Sequence, residues 1–149
     1  MSFHPGDSVP DFTAQATSNQ QLVLSEMKGK KIVLYFYPKD STPGCTIQAC
    51  SFRDGIDDLK KAGYVVLGVS KDSIKSHKNF ITKQNLNFVL LSDPDKKVIE
   101  SYKAFKEKSM FGKSYLGVRR TTYVIEKGII TKVIADSKPS DAVTEILGN

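Results

Sequence analysis

The apolar residues of this chain fall into short solid blocks set between longer stretches with helical spacing. Ile32-Val33-Leu34-Tyr35-Phe36-Tyr37 is a continuous run rich in β-branched and aromatic residues, and it predicts a strand buried on both faces and ended by Pro38. Tyr64 to Ser70 predicts a second buried strand, Phe88 to Leu91 a short third and Thr121 to Ile125 a fourth, with Lys127-Gly128 turning into a hairpin partner from Ile129 to Ala135. Between these blocks the period lengthens. A helix is predicted from the Cys45 region to about Lys61, ending near Gly63. Another, capped by Asp72 or Ser73, runs to about Lys83 with Ile74, His77, Phe80 and Ile81 on one face, and His77 is placed at the boundary of that face. Asp95 to about Tyr102 predicts a short helix, and Ser140 caps a last one carrying Ala142, Val143, Ile146 and Leu147. Strands separated by helices and closed by a hairpin predict the α/β class, with a mixed central sheet and helices on both faces. The length of 149 residues suits one domain, 1–149.

The turn after the first buried strand carries the chemistry. Pro38-Lys39-Asp40-Ser41-Thr42-Pro43-Gly44-Cys45 delivers a thiol into the first turn of the predicted helix. Pro43 suits that turn because its missing N–H would have no intrahelical partner, and Thr42 stands at the N-cap, where its side chain would satisfy the amides that follow. Cys45 then faces unpaired amides at the positive end of a helix, which favours a thiolate over a thiol. Alone, a cysteine reads best as a small core residue; the strand, turn and helix around it reverse that reading. Cys50 lies five residues on. On one α-helix that step leaves the Cα atoms roughly 8 to 9 Å apart, whereas a disulfide needs less than ~7 Å. The two thiols coexist reduced on a wound helix, and joining them requires the first turn or more to unwind. An inert pair and a metal site are the alternatives. Structural zinc wants four ligands at short paired spacings, and the histidines, His4 and His77, are distant. The Cys-x-x-Cys of a thioredoxin-type dithiol is absent.

Composition and charge narrow the classes. Hydrophobic residues make up 40%, yet no apolar run reaches the 18 residues of a membrane span. The start, Met1 to Asp7, lacks the basic and apolar regions of a secretory signal, so a cytoplasmic location is expected unless a targeting segment has been trimmed away. Two close cysteines in such a chain are more naturally catalytic than a structural staple. A net charge of +6 raises nucleic-acid binding as a rival. The lysines, however, are spread through every predicted element and read as solvated surface, with attraction to an acidic reductase as a secondary effect.

Pro38, Thr42 and Cys45 stand at the spacing Pro-x-x-x-Thr-x-x-Cys, and in this the chain resembles the peroxiredoxins. The continuation from Cys45 to Cys50 resembles their bacterioferritin comigratory protein branch, the Q-type peroxiredoxins, whose resolving cysteine follows the peroxidatic one by five residues. Gly6 to Phe12, Leu90 to Pro94, and Gly112 to Gly117 leading into Arg119-Arg120-Thr121-Thr122-Tyr123 extend the resemblance nearly end to end. It implies a thioredoxin fold with peroxiredoxin additions, Cys45 as the peroxidatic and Cys50 as the resolving cysteine, and at Arg120 an arginine that reaches back to Cys45. Arg119 falls where relatives vary and is given no catalytic part. Gln48 stands where many peroxiredoxins carry Glu, which removes a charge near the site. The resemblance also implies a monomer, hydrogen peroxide and organic hydroperoxides as substrates, and thioredoxin or a glutaredoxin as reductant. The chain carries no recognisable flavin or nicotinamide motif, so no cofactor is expected, and its scattered lysines and lack of a long apolar run predict no nucleic-acid or membrane partner.

A free cysteine is only a few per cent thiolate at neutral pH, so ionisation alone gains at most about thirtyfold in reactive form. Larger acceleration needs groups that bind the stretching O–O bond and the departing oxygen. Arg120, permanently charged with donors in a fixed fork, and Thr42, whose hydroxyl donates and accepts, suit that task, and the Gly44 and Cys45 amides add donors. Pro38 holds the loop and shields the site from water. Cys45 would become a sulfenic acid, and condensation with Cys50 would protect it from irreversible oxidation. The stretch Phe105 to Leu116, with Met110, Phe111 and Tyr115, is expected to be a mobile loop beside the site, and its apolar members suit organic hydroperoxides or ordinary packing equally well. A thiol–disulfide exchange protein would use the same cysteines without consuming peroxide. A holdase-type chaperone would need a large apolar surface stretch, and none is visible.

Overall fold

The structure, a computed structural model, describes residues 3–27 and 29–148; Met1 and Ser2, at the head of the segment read for a signal, lie outside them. Two short strands open the chain, β1 (Thr13–Ala16) and β2 (Gln21–Val23), ahead of β3 (Lys31–Phe36). Helices α1 (Pro43–Asp54) and α2 (Ile56–Lys61) lead to β4 (Tyr64–Ser70), α3 (Ile74–Gln84), β5 (Val89–Ser92) and α4 (Lys97–Ser101). A separate hairpin, β6 (Phe105–Met110) and β7 (Lys113–Val118), precedes β8 (Thr121–Glu126), β9 (Ile129–Ile134) and α5 (Ala142–Leu147). The main sheet runs β2-β1-β5-β4-β3-β8-β9. The pairs β3–β4 and β4–β5 are parallel, and those outside them are antiparallel, so the sheet is mixed.

Strand β3 shows why its sequence is apolar throughout. Successive side chains point to opposite faces of a strand, and here both faces are covered. Ile32, Leu34 and Phe36 enter one core with Val98, Ile99, Tyr102, Tyr123 and Ile125. Val33, Tyr35 and the following Tyr37 enter the other with Cys45, Ala49, Phe52, Leu59, Phe80 and Ile146. Thus α1, α2, α3 and α5 cover one face and α4 the other, as the alternation of elements predicts. Among the described residues no helix is long and apolar enough to cross a membrane.

Three local expectations are corrected. The helix predicted to run unbroken to about Lys61 divides at Gly55. A Cβ on Gly55 would lie 2.6 Å from Cγ2 of Val143, so α5 packs directly on the backbone at the junction. Ser140 does not cap the last helix: Pro139 starts a 3-10 turn over Pro139–Asp141, which puts Ser140 inside the turn and leaves Asp141 at the cap position. The stretch Phe105 to Leu116 is regular rather than a loop. It pairs in register from Phe105 with Val118 to Met110 with Lys113, closed by Phe111 and Gly112 at φ 53° and 77° in a tight hairpin turn. Phe111 is 95% exposed at its tip; the side chains of Met110 and Tyr115 lie outside those described.

Gly55→Ala is expected to lower stability by about 1–3 kcal/mol through overpacking against Val143, with an unchanged m value in urea unfolding. A midpoint equal to the parent's would show that α5 yields freely.

Candidate active site

Tyr37 continues β3 into the core at 1% exposure, and the chain then leaves the sheet at Pro38. Ser41 takes a φ of 62°, which reverses the path, and Pro43 begins α1, whose first backbone bond runs from the Thr46 N–H to the Thr42 carbonyl at 2.8 Å. Thr42 has the extended backbone of an N-cap (φ −81°, ψ 154°), but its side chain makes no capping bond. Its hydroxyl donates instead to the Lys39 carbonyl at 2.9 Å, which the reversal at Ser41 brings within reach. The expected cap is therefore corrected: Thr42 closes the loop and leaves the first amides of α1 uncapped by its oxygen.

Cys45 follows in that first turn and is 2% exposed. Arg120, in the link between β7 and β8, reaches it with Nη2 at 3.5 Å from Sγ. Its Nη1 donates to Oε1 of Gln48 at 2.8 Å. Cys45 and Gln48 are three apart on α1, hence on one face, and a single guanidinium spans both. A Cβ on Gly44 would lie 3.1 Å from Arg120 Nη2, so the bare backbone at Gly44 is what lets the guanidinium settle against the helix start. Gln48 is fully buried. As an amide it accepts from Arg120 without neutralising it, which leaves the full charge facing Cys45. Among the described residues, the Gln48 Nε2 and the Tyr35 hydroxyl are both buried without a hydrogen-bond partner. Burial first, and next the charge of Cys45, push the Tyr35 phenol well above its ordinary range.

Cys50 lies on the same helix, half-buried, and its thiol contacts Oε1 of Gln84 at the end of α3 at 3.7 Å. Five residues turn an α-helix by about 140° past one full turn, so Cys50 faces α3 while Cys45 faces Arg120. Both cysteines are free. Arg119 points elsewhere: its Nε and Nη2 hold the two Asp136 carboxylate oxygens at 3.0 and 2.8 Å on the exposed surface. That bond holds the Asp136 carboxyl below its ordinary range. The structure thus places Arg120, not its neighbour, at Cys45. A cleft of about 290 Å³ opens beside it, lined by Pro38, Lys106, Val118, Arg120, Asp136 and Ser137. A cleft of about 320 Å³ between the N-terminal segment and the β8–β9 turn contains none of these residues. Among the described residues no three His, Cys, Asp or Glu side chains gather as a metal site.

His77 is not the boundary residue expected from its helical spacing. It is completely buried and bonds the Asp40 carboxylate at 2.6 Å, because the loop before Cys45 folds back over α3. Asp40 stands inside the motif, but its partners on α3 lie 36 and 37 residues away, and no local spacing points to them.

A mixed sheet with a cysteine at a helix start beside a charged arginine defines a thiol-based oxidoreductase of thioredoxin-like fold. The AhpC/TSA family model matches residues 5–133. The chain is 50% identical to the putative peroxiredoxin Bcp of Coxiella burnetii over 149 residues, 99% of each chain. It is 43% identical to peroxiredoxin Bcp of Bacillus subtilis over 148 residues, 99% of this chain and 94% of that one. A structure of the bacterioferritin comigratory protein of Xanthomonas campestris, described for its alkyl peroxide reduction activity and its trapped intermediate and ligand complexes, superposes with a TM-score of 0.89 at 34% identity, covering 95% of this chain and 96% of that one. The chain belongs to the AhpC/TSA family, within it to the Bcp-type peroxiredoxins, and is a thiol peroxidase that takes a peroxide as oxidant and a thiol as reductant. The expected thioredoxin fold with peroxiredoxin additions is borne out with it.

Arg120→Met is expected to slow oxidation of Cys45 by hydrogen peroxide at least about a hundredfold in stopped-flow single turnover. Arg119→Met should leave that rate within about twofold, since its partner is an exposed carboxylate. Equal losses in the two variants would contradict the assignment.

Proposed function

We propose that Cys45 is the peroxidatic cysteine and Cys50 the resolving one of an intramolecular, atypical 2-Cys peroxidase. The observation that carries this reading is the Arg120 guanidinium held between Cys45 Sγ and Gln48 at the uncapped start of α1. The Cys45 thiolate attacks the terminal oxygen of R–O–O–H; an S–O bond forms, the O–O bond breaks, and RO⁻ leaves and takes a proton. Arg120 stabilises the thiolate and the charge that grows on the departing oxygen. The Thr42 hydroxyl, its proton committed to the Lys39 carbonyl, accepts the peroxide O–H. The Gly44 and Cys45 amides supply further donors. Pro38 lines the cleft and, having no N–H, adds no donor for water there.

The product is a Cys45 sulfenic acid. Cys50 sulfur then attacks Cys45 sulfur; the S–S bond forms and hydroxide leaves as water with the Cys50 proton. Because both residues lie within α1, this step requires the start of that helix to unwind. Thioredoxin, or a glutaredoxin, returns both thiols through its own dithiol. Location of both cysteines in one helix supports a monomer acting as a single domain over 1–149, since no exchange between subunits is required. A cycle that must be reset by thiols supports a cytoplasmic, reducing setting. The alkyl peroxide activity named for the Xanthomonas campestris relative, with Val118 in the cleft wall, supports organic hydroperoxides beside hydrogen peroxide as substrates.

One equivalent of hydrogen peroxide added to the reduced protein, followed by non-reducing mass spectrometry, should yield a Cys45–Cys50 disulfide. In Cys50→Ser the first oxidation should stay fast while turnover with thioredoxin falls sharply. Undiminished turnover would remove Cys50 from the resolving step, and peroxide loss no faster than with free cysteine would leave disulfide exchange as the better reading.

A further inference from the structure

We infer that Asp40 and His77 are positioning residues for the Cys45 reaction, forming a buried carboxylate–imidazole clasp that ties the segment before α1 to α3 and β5. The segment from Pro38 to Thr42 sets where α1 begins, yet it has no regular structure of its own. Asp40 stands at its centre, 5% exposed. Its Oδ1 accepts from the Tyr37 hydroxyl at 2.6 Å; its Oδ2 meets His77 Nδ1 at 2.6 Å and accepts from the Ser76 hydroxyl at 2.8 Å. Its backbone N–H donates to Asp72 Oδ2 at 2.9 Å, an oxygen that also accepts from Ser70 Oγ at 2.7 Å. Asp40 is thus held by α3, by the residues just before its N-terminus and by Tyr37 at the end of β3.

The protons can be assigned from chemistry alone. His77 Nε2 lies 2.9 Å from the Leu91 carbonyl, which only accepts, so Nε2 carries a hydrogen. Nδ1 and Asp40 Oδ2 then hold one proton between them. Both imidazole nitrogens are committed, and the side chain is closed to solvent, so His77 neither touches the peroxide nor serves it as a base. Buried ionic or polar pairs are costly to desolvate, and apolar residues of similar volume often replace them without loss of stability. What such a filling would lack is the directional hold on Asp40. Asp40 is five residues from Cys45, and a shift in the loop moves the helix start against the Arg120 contact at 3.5 Å.

The inference rests on Cys45 as the peroxide-reacting cysteine and not on the role of Cys50, so the test is made in Cys50→Ser, where only the first oxidation occurs. Two substitutions divide the Asp40 and Leu91 bonds of His77. His77→Asn sets an amide nitrogen where Nδ1 was, keeping a donor for Asp40 and dropping the Leu91 bond. His77→Gln reaches towards the Leu91 carbonyl and drops Asp40. Each loses one buried bond, so both should lower the melting temperature comparably. The second-order rate of Cys45 oxidation by hydrogen peroxide is expected to fall about tenfold in His77→Gln and to stay within about threefold of the parent in His77→Asn. Equal rates in the two variants, or rates that follow melting temperature alone, would overturn the clasp. Where either variant does not fold, Tyr37→Phe, which keeps the ring and removes one donor to Asp40, should slow the same step about threefold, and an unchanged rate overturns the inference equally. A Cys50→Ser parent no faster than free cysteine would instead defeat the assignment of Cys45 itself.

Discussion

Arg120 reaches α1 from the start of β8 and holds Cys45 with one terminal nitrogen and Gln48 with the other, so the sheet and the helix must keep a fixed relation across the site. Much of the surrounding structure serves that relation. Strand β3 pairs with β8 over its whole length and fixes where Arg120 emerges, while Tyr35, Ala49 and Phe52 seat α1 on the same face of the sheet. Gly44 leaves room for the guanidinium. Gln48 orients it without cancelling its charge. The charge is therefore aimed at a buried sulfur, where an ionic hydrogen bond is worth more than at the surface.

The same helix has to give way in the second half of the proposed cycle. Gln48 lies between Cys45 and Cys50, so unwinding that joins the sulfurs also draws away the residue that orients Arg120. Catalytic geometry and the disulfide thus exclude one another, and reduction must restore both contacts of the guanidinium together. The division of the long helix at Gly55 limits how far the change need spread. Helix α2 has its own anchors, Ile56 and Leu59, in the core, and the clasp around Asp40 bounds the moving segment on its other side.

The chemistry was legible in the sequence because it is written locally. The solid apolar run of β3, the break at Pro38, and Pro43 two residues before Cys45 all act within the short stretch from Ile32 to Cys45, and the spacing of Thr42, Cys45 and Cys50 carries the family resemblance. What the sequence hid depends on distant partners. His77 has the spacing of an ordinary face residue, and only the folding of the Asp40 loop over α3 closes it in. Gly55 marks a close approach to Val143, a residue far along the chain. The β6–β7 hairpin is not legible from the sequence because Lys106-Glu107-Lys108-Ser109 offers no apolar alternation, while its turn depends on a positive φ at Phe111 that the residue type does not suggest. Thr42 stands at the helix start as its sequence position predicts, but its hydroxyl bonds the Lys39 carbonyl through a reversal at Ser41 that pattern alone does not reveal.

The central claim is that α1 must be wound to react and unwound to resolve. Hydrogen exchange at the amides of residues 45–54, compared in the reduced protein and after one equivalent of hydrogen peroxide, tests this most directly. The account predicts that protection is lost over the turns holding Cys45, Gln48 and Cys50 on oxidation, is kept in β3 and β8, and returns when the disulfide is reduced. Equal protection of α1 in both states, with the Cys45–Cys50 disulfide shown to have formed, would contradict it.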